Sequence, residues 1–460
     1  MLTFSINTLG CKVNQYEGQQ VRELLEKLDL KQVELTDAPD LTVVNTCCVT
    51  HIASAKSRQY IRKIQKHSPE AIIIVAGCLP AGQNNELKDT VNNSQLHIIS
   101  QKNDLAKTLG NIINSHFNSR TKKDSKIKDK ALFQGNIGRN KPVNKTSMDT
   151  SLSSNALLEL GKLNSYAGQS RAFLKVQDGC DGYCTYCIVP KVRNKINNKP
   201  IEDVLQEASN LVYAGHQEIV LTGIFLGAYG QDTVRRKNWD QTKIDSLAKL
   251  LEKVAQVEGL SRLRLSSLEP ADVTEKLLDT FCSNLNVMPH LHLPLQSGSE
   301  RILKKMCRQY SIDEFLEVVE KIKLRLDRPA ITTDIIVGFP GENDDDFEKT
   351  CEIAKTCEFS KIHVFSFSPR QGTAAARMQH QVEPEVIKAR SKQLRALDTE
   401  AQKSFRRQFT GEKMEIIVED TNPVRGRCER YFMVEIGENG VLEGTGKITK
   451  GNILRVKLTD

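Results

Sequence analysis

Three cysteines within eight residues, Cys180, Cys184 and Cys187, have the residue type and the spacing of a metal site. A closed structural zinc site takes four protein ligands, usually as two Cys-x-x-Cys halves, and no fourth candidate follows nearby. A cubane iron–sulfur cluster held by three cysteines instead leaves one iron open to another ligand. The spacing therefore favours an iron–sulfur cluster, with a zinc site or three metal-free thiols as the alternatives.

These cysteines directly follow a predicted strand, the first of six that alternate with helical patterns. Six β/α units indicate an open or partial parallel barrel, in which the chemistry lies at the carboxyl ends of the strands. The other strand ends are polar or rich in glycine, as a ligand bed requires, although turn geometry also selects glycine. The predicted strands are residues 172–177, 218–222, 262–267, 290–295, 331–337 and 362–368. The strand-end residues predicted to contact a cofactor are Thr222, Gly223, Ser267, Glu269, Gln296, Ser297 and Gly298.

A second set of cysteines, Cys11, Cys47 and Cys78, lies at the ends of predicted strands in residues 1–115. Short β-rich runs alternate there with amphipathic stretches, which indicates an open parallel α/β sheet. Such sheets bind ligands at the carboxyl ends of their strands, so the three thiols could meet at one metal site. Buried cysteines at strand ends are also ordinary small apolar side chains, and this second interpretation stays open from the residues alone.

The rest of the chain divides by composition. Residues 116–168 are rich in lysine, asparagine and serine, which predicts a basic polar linker whose charges are solvated. Alternating runs at 414–419, 430–436 and 453–458 predict a small all-β barrel, a class that includes oligonucleotide-binding barrels. Its arginines Arg425, Arg427 and Arg430 stand beside acidic residues and do not by themselves establish an RNA surface. The predicted segments are 1–115, 116–168, 169–405 and 406–460.

Composition narrows the class of protein further. The chain has 460 residues, twelve cysteines and a formal net charge of +8, which permits a nucleic-acid partner without requiring one. Residues 1–14 lack the basic start and apolar run of a secretory signal, and no apolar segment approaches the roughly 18 to 20 residues of a membrane span. We therefore expect a cytoplasmic protein, whose cysteines are metal ligands or buried thiols rather than disulfides.

The motifs together resemble those of the methylthiotransferases of the radical S-adenosylmethionine superfamily. The similarity covers nearly the whole chain except the linker, and it is carried by residues 8–15, 45–50, 77–78, 179–190 and 293–299. The resemblance implies two [4Fe-4S] clusters: Cys180, Cys184 and Cys187 hold the one that binds S-adenosylmethionine, and Cys11, Cys47 and Cys78 hold an auxiliary one. Cys48 is adjacent to Cys47, but the motif match favours Cys47 as the ligand.

What the family does gives the expected function. Its members remove hydrogen from an unactivated carbon with a radical made from S-adenosylmethionine, insert sulfur from the auxiliary cluster and methylate that sulfur. Its last domain, called TRAM, binds RNA. The resemblance also implies an electron donor such as flavodoxin or ferredoxin. Arg193, beyond the third cysteine, receives no role except a phosphate contact.

The branches of the family differ in substrate. Residues 9–15 and 173–180 look most like the branch that acts on C2 of N6-threonylcarbamoyladenosine beside the tRNA anticodon, where an unpaired loop displays the base. Methylthiolation of isopentenyladenosine in tRNA, or of an aspartate in a ribosomal protein, is the alternative. A non-catalytic metal- and RNA-binding protein is the rival from another class, and the glycine-rich strand ends argue against it.

Overall fold

The computed structural model describes residues 2–49, 51–82, 95–100, 104–113, 115, 160–442 and 448–459. The chain forms two compact units. The first contains Met1–Asn7, Gln20–Asn45 and Ile61–Gly161, and the second contains Thr8–Gln19, Thr46–Tyr60 and Lys162–Asp460. Of the predicted linker, residues 116–159 lie outside the described part of the chain.

An open α/β sheet is formed near the amino terminus, as predicted. Its strands are ordered β2-β1-β3-β4-β5, and β1 pairs with β2, and β4 with β5, in parallel. The third and fourth strands are nearly continuous runs of buried residues, which is typical of strands covered on both faces. The bounds of these strands are Thr3–Thr8 (β1), Lys31–Gln32 (β2), Leu41–Thr46 (β3), Ile72–Gly77 (β4) and Leu96–Ile98 (β5).

The six predicted barrel strands are all present in the second unit. They form two parallel sheets, β6-β8-β9 with the short antiparallel β7 at its edge, and β10-β11-β12. Isolated bridges join β9 to the strand that follows, including one between Ser267 and His292. The arrangement is a partial barrel. The strands are Ala172–Asp178 (β6), Asn197–Asn198 (β7), Glu218–Gly223 (β8), Arg262–Leu265 (β9), His290–His292 (β10), Ala330–Val337 (β11) and Lys361–Ser366 (β12).

Several helices begin at residues that cap them. Ser311 and Asn343 each form a capping box with the acidic residue three positions on, and the Thr274 and Ser299 hydroxyls accept from backbone N–H groups of the first turn. Residues 105–113 are also helical. The helices with defined bounds are Lys12–Lys27 (α1), His51–His67 (α2), Cys78–Gly82 (α3), Val189–Val192 (α4), Ile201–Tyr213 (α5), Ser246–Ala255 (α6), Glu275–Ser283 (α7), Glu300–Met306 (α8), Ile312–Arg325 (α9), Asp344–Thr356 (α10) and Pro384–Arg407 (α11).

The chain ends in a small antiparallel sheet ordered β15-β14-β13-β17-β16. Its apolar face packs on Phe405 and Phe409 at the end of α11. The predicted strand 430–436 is shorter than expected, because the chain turns at Tyr431, whose φ is +71°. A strand at Val424–Cys428 had not been predicted. The bounds are Lys413–Thr421 (β13), Val424–Cys428 (β14), Met433–Glu435 (β15), Gly440–Leu442 (β16) and Ile453–Leu458 (β17).

No helix within the described ranges is both long enough and apolar enough to cross a membrane.

Candidate active site

The loop with the three clustered cysteines leaves β6 through a sharp turn at Gly179. This glycine has φ of +84°, and a Cβ there would lie 1.9 Å from the carbonyl oxygen of Lys195. The Cys180 N–H donates to the Arg193 carbonyl at 2.8 Å, and the Thr185 N–H donates to the Met306 carbonyl at 3.1 Å. Backbone contacts therefore hold the loop at its start and next to its second cysteine.

The three thiols fit a metal cluster. Burial raises the pKa of Cys180 to about 11 and that of Cys187 to about 12, and a charge on Cys184 acts in the same direction on both. Thiols that oppose one another's ionisation in this way lie close together, and they ionise together only if a cation joins them. An iron–sulfur cluster supplies such a cation, so the donor set matches the group predicted from the sequence.

An arginine that the sequence did not reveal lies against this loop. Arg308 donates to Cys184 Sγ at 3.3 Å through Nη1 and to Glu269 at 2.6 Å through Nη2. Its side chain is 7% exposed, so the charge is confined to this place. Glu269, predicted to contact the cofactor, is shared with a second guanidinium, that of Arg236 at 3.2 Å. The carboxylate thus connects the strand end of β9 to the cysteine loop.

The remaining predicted cofactor residues lie at the strand ends as expected, in different surroundings. Thr222 is buried in β8, and a Cβ on Gly223 would meet the Gln177 side chain at 3.0 Å. Ser267 is exposed and lines a cavity inside the barrel. Gln296 has φ of +63° and pairs with β11 through its backbone.

Ser297 and Gly298 are packed against a helix. A Cβ on Gly298 would lie 2.5 Å from Thr350 Cα, and the Gly298 N–H donates to the Thr350 hydroxyl at 3.0 Å. The Ser297 side chain is fully buried. The backbone at position 298 lies so close to α10 that this contact alone explains why a glycine is found there.

Two of the three cysteines near the amino terminus, Cys11 and Cys78, follow the same kind of turn as Cys180. Gly10 and Gly77, which precede Cys11 and Cys78, have φ of +104° and +95°. A Cβ on Gly10 would lie 2.6 Å from Cys47 Cβ. The residue directly before Cys11 therefore packs against Cys47. Cys11 is exposed, whereas Cys47 and Cys78 are buried.

A buried ion-pair network joins the Cys11 and Cys47 loops to the barrel. The Arg193 guanidinium donates to Glu17 at 2.8 Å, to Asp178 at 2.9 Å and to Asn14 Oδ1 at 3.0 Å. Asn14 in turn donates to the carbonyls of Leu9 and Thr46, both at 2.9 Å. The guanidinium of Arg193 is thus bound to two carboxylates of the protein.

The arginines of the carboxyl-terminal sheet are also paired with acids. Arg425 contacts Asp420 at 2.7 Å, Arg427 contacts Glu419 at 2.9 Å, and Arg430 contacts Asp327 at 3.1 Å. Their charges are therefore largely neutralised within the protein.

A polar group inside the barrel was also missed. His292, Asp334 and His363 lie on three adjacent strands with their ligand-type atoms within 4.8 Å of one another. His292 Nε2 is 3.4 Å from Asp334, and His292 Nδ1 is 2.9 Å from the Thr332 hydroxyl. The alternation of histidine with leucine at 290–292 was the available signal, because a strand turns every second side chain to the same face. For Arg308 and Glu17 no local signal exists, since their partners are distant in sequence.

Comparisons with known proteins agree with this geometry. Residues 174–354 match the radical SAM superfamily, and residues 3–98 match the uncharacterized protein family UPF0004. The solved radical S-adenosylmethionine methyltransferase TsrM from Kitasatospora setae has a similar fold, with a TM-score of 0.54 and 12% identity over 82% of this chain and 74% of that one. The partial barrel with a three-cysteine loop after its first strand thus defines a radical SAM enzyme, which uses S-adenosylmethionine and a [4Fe-4S] cluster.

Full-length relatives narrow this class. The threonylcarbamoyladenosine tRNA methylthiotransferase MtaB of Bacillus subtilis is 34% identical, over 99% of this chain and 94% of that one. MtaB of Thermotoga maritima is 35% identical, over 91% and 87%. A tRNA-2-methylthio-N(6)-dimethylallyladenosine synthase of Corynebacterium efficiens is 30% identical, over 100% and 83%. The chain belongs to the radical SAM methylthiotransferase family.

Proposed function

We propose that this enzyme methylthiolates C2 of N6-threonylcarbamoyladenosine beside the anticodon of tRNA. The observation that carries the proposal is that three relatives named for threonylcarbamoyladenosine are 34%, 36% and 35% identical to this chain. Two relatives named for dimethylallyladenosine are 30% and 31% identical. The three-cysteine loop and the partial barrel support the radical part of this reaction. The anticodon loop suits the chemistry because a base outside a duplex is unstacked at low cost.

In this proposal Cys180, Cys184 and Cys187 hold the cluster that binds S-adenosylmethionine, and Cys11, Cys47 and Cys78 hold an auxiliary cluster that donates sulfur. Bound there, the clusters and S-adenosylmethionine supply one-electron chemistry at an unactivated C–H bond, together with the sulfur and the methyl group. The cofactor is contacted by the seven strand-end residues predicted from the sequence, which are Thr222, Gly223, Ser267, Glu269, Gln296, Ser297 and Gly298.

The protein's own residues prepare this chemistry. Arg308 fixes the Cys184 sulfur, and the Arg193 network fixes the turns before Cys11 and Cys47. The carboxyl-terminal sheet acts as a TRAM-type RNA-binding domain for the anticodon stem-loop. A flavodoxin or ferredoxin type of protein delivers the electron.

The direct test is nucleoside mass spectrometry of tRNA from a strain that lacks the gene. Loss of the methylthio form of threonylcarbamoyladenosine, with recovery on complementation, supports the proposal. Loss of the methylthio form of isopentenyladenosine alone would overturn it. The proposal would also fail if the tRNA kept both methylthio nucleosides and a ribosomal-protein aspartate lost its methylthio group.

Cysteine variants test the two cluster roles separately. Protein purified without oxygen should contain about eight irons per chain, as two cubane clusters require. Cys184→Ala should abolish cleavage of S-adenosylmethionine, whereas Cys78→Ala should lose about half of the iron, keep cleavage and stop sulfur insertion. Cys282→Ala, at an exposed cysteine far from both motifs in sequence, is the matched control. Equal loss of both activities in Cys78→Ala would contradict separate roles.

A further inference from the structure

The barrel encloses a polar cavity of about 280 Å³. This volume is close to the lower end of the roughly 300–1,000 Å³ range of small-molecule pockets, and it suits a base or its substituent. Ser267, one of the predicted cofactor contacts, is part of its wall, so the cavity adjoins the predicted cofactor bed. The charged or polar side chains that matter here are Lys12, Arg171, Arg264, His292, Asp334 and Tyr431.

Two of the three cations in the wall are neutralised by the protein. Glu218, itself fully buried, lies 2.9 Å from the Arg264 guanidinium and 3.7 Å from that of Arg171. Arg171 also contacts Glu419 at 3.2 Å. These arginines therefore act as supports for the wall and have little charge to offer a ligand.

Lys12 differs from both arginines. It is half-buried, and within the described part of the chain its ammonium makes neither a hydrogen bond nor an ion pair. It is the first residue of α1, whose first turn contains no acidic side chain, so the helix dipole also disfavours its charge. The acid in the cavity wall, Asp334, lies against His292 instead, at 3.4 Å.

The charge of Lys12 affects other groups in the wall. Burial acts to raise the pKa of Tyr431, yet Lys12, Arg171 and Arg427 outweigh it and lower that pKa. Burial lowers the pKa of His290, and the nearby cations, Lys12 among them, lower it further. The cavity therefore has a positive potential that the protein leaves unbalanced, and an anionic ligand would balance it.

We propose that Lys12 binds the carboxylate of the threonylcarbamoyl group and thereby selects this substrate. The inference rests on the proposed function. In adenine, C2 and C6 are both bonded to N1, so a residue next to the sulfur-donating site is within one side-chain length of the N6 substituent. Lys12 directly follows Cys11, which places its ammonium on the correct side of the base. An isopentenyl group has no charge, and its entry would desolvate the ammonium without a partner.

The test uses the anaerobically purified holoenzyme and fluorescently labelled anticodon stem-loops. One stem-loop contains threonylcarbamoyladenosine, and the second contains its methyl ester, which lacks the charge and carries one additional methyl group. Fluorescence anisotropy gives Kd for each. We expect the wild-type enzyme to bind the acid about tenfold more tightly than the ester, because a charge-assisted contact in a partly desolvated site has this size.

The variants assign this preference to one side chain. Lys12→Met should bind the acid and the ester equally, and Lys12→Arg should keep the preference. Lys253→Met removes a charge from an exposed position of α6 and should leave the preference intact, which controls for net charge. A preference that persists in Lys12→Met, or equal binding of acid and ester by the wild-type enzyme, would overturn the inference.

Failure of the inference differs from failure of the proposed function. If the methylthio form of threonylcarbamoyladenosine disappears from the strain without the gene while wild-type enzyme ignores the carboxylate, only the role of Lys12 is refuted. If that modification persists in the strain, the proposed function itself fails, and the stem-loop measurement then shows whether Lys12 binds a carboxylate at all.

Discussion

Replacing Arg193 with methionine should destabilise the second unit by about 3 kcal/mol. The guanidinium is 9% exposed, and it faces Glu17 and Asp178, which are 6% and 18% exposed. Removing one partner of a buried pair costs about 3–5 kcal/mol, because the other charge is left in a poor solvent. Lys175 contacts both carboxylates, at 3.0 and 2.8 Å, and would partly compensate, so the lower end of this range applies.

Urea unfolding followed by tryptophan fluorescence measures this effect. The chain has one tryptophan, Trp239, which belongs to a small buried cluster against which Cys180 packs, so its fluorescence reports on this region. With a slope of about 3 kcal/mol per molar for a unit of this size, the midpoint of Arg193→Met should fall by about 1 M. Arg193→Lys should recover only part of the loss, because an ammonium cannot reach three acceptors in the plane of a guanidinium.

The matched control is Lys162→Met, which removes a cation from an exposed pair. Lys162 and Asp203 lie 2.7 Å apart with side chains 44% and 41% exposed. Such pairs contribute less than about 1 kcal/mol, so the midpoint should move by less than about 0.3 M. Equal shifts in Arg193→Met and Lys162→Met would refute the argument that burial makes this network strong.

Two further substitutions test a close packing contact and a buried ion pair of the barrel. Gly298→Ala places a Cβ 2.5 Å from Thr350 Cα and should cost about 1–3 kcal/mol in the same urea assay, whereas Gly161→Ala, with open space around it, should leave the midpoint unchanged; a silent Gly298→Ala would show that α10 yields easily. Burial acts to raise the pKa of Glu218, but Arg264 and the neighbouring guanidiniums outweigh it and lower that pKa, so its stabilising effect is present above about pH 4.3 and is lost as pH falls further. Glu218→Gln should therefore lower the urea midpoint at pH 7 and reduce the change of that midpoint between pH 7 and acidic pH. A variant whose midpoint changes with pH as much as that of the wild type would contradict the stabilising role of the Glu218 carboxylate.

The strands and the cysteine turns were accessible from the sequence because their causes are local. β4 is a continuous apolar run, and segments rich in apolar and β-branched residues mark β3 and most barrel strands. A glycine before the cysteine marks the turn at Gly10, Gly77 and Gly179. The chemistry of the three clustered thiols likewise depends on spacing within one loop. The prediction of the carboxyl-terminal strands was less reliable. β14 was missed because Arg425 and Arg427 alternate with the other residues of the strand and make the segment look polar.

Residues that act through distant partners could not be found in this way. Arg193 and Glu17 are 176 positions apart, and Arg308 and Cys184 are 124 apart, so no periodicity in the chain records either contact. The glycine at 298 shows the converse. A glycine at a strand end is compatible with a cofactor and with a close helix, and only the position of Thr350 reveals the second cause.

The first turns of α1 explain why the inferred role of Lys12 is physically reasonable. Asn14 and Glu17 are three positions apart, so they share one face of the helix and both bind Arg193. Tyr16 lies on another face and donates to Glu207 at 2.7 Å. These contacts fix the helix from two sides and leave Lys12, at its start, directed into the cavity. A cation on so constrained a support loses little freedom when it binds an anion, so its discrimination between a charged and a neutral substituent depends on the same contacts that hold the Cys11 and Cys47 turns.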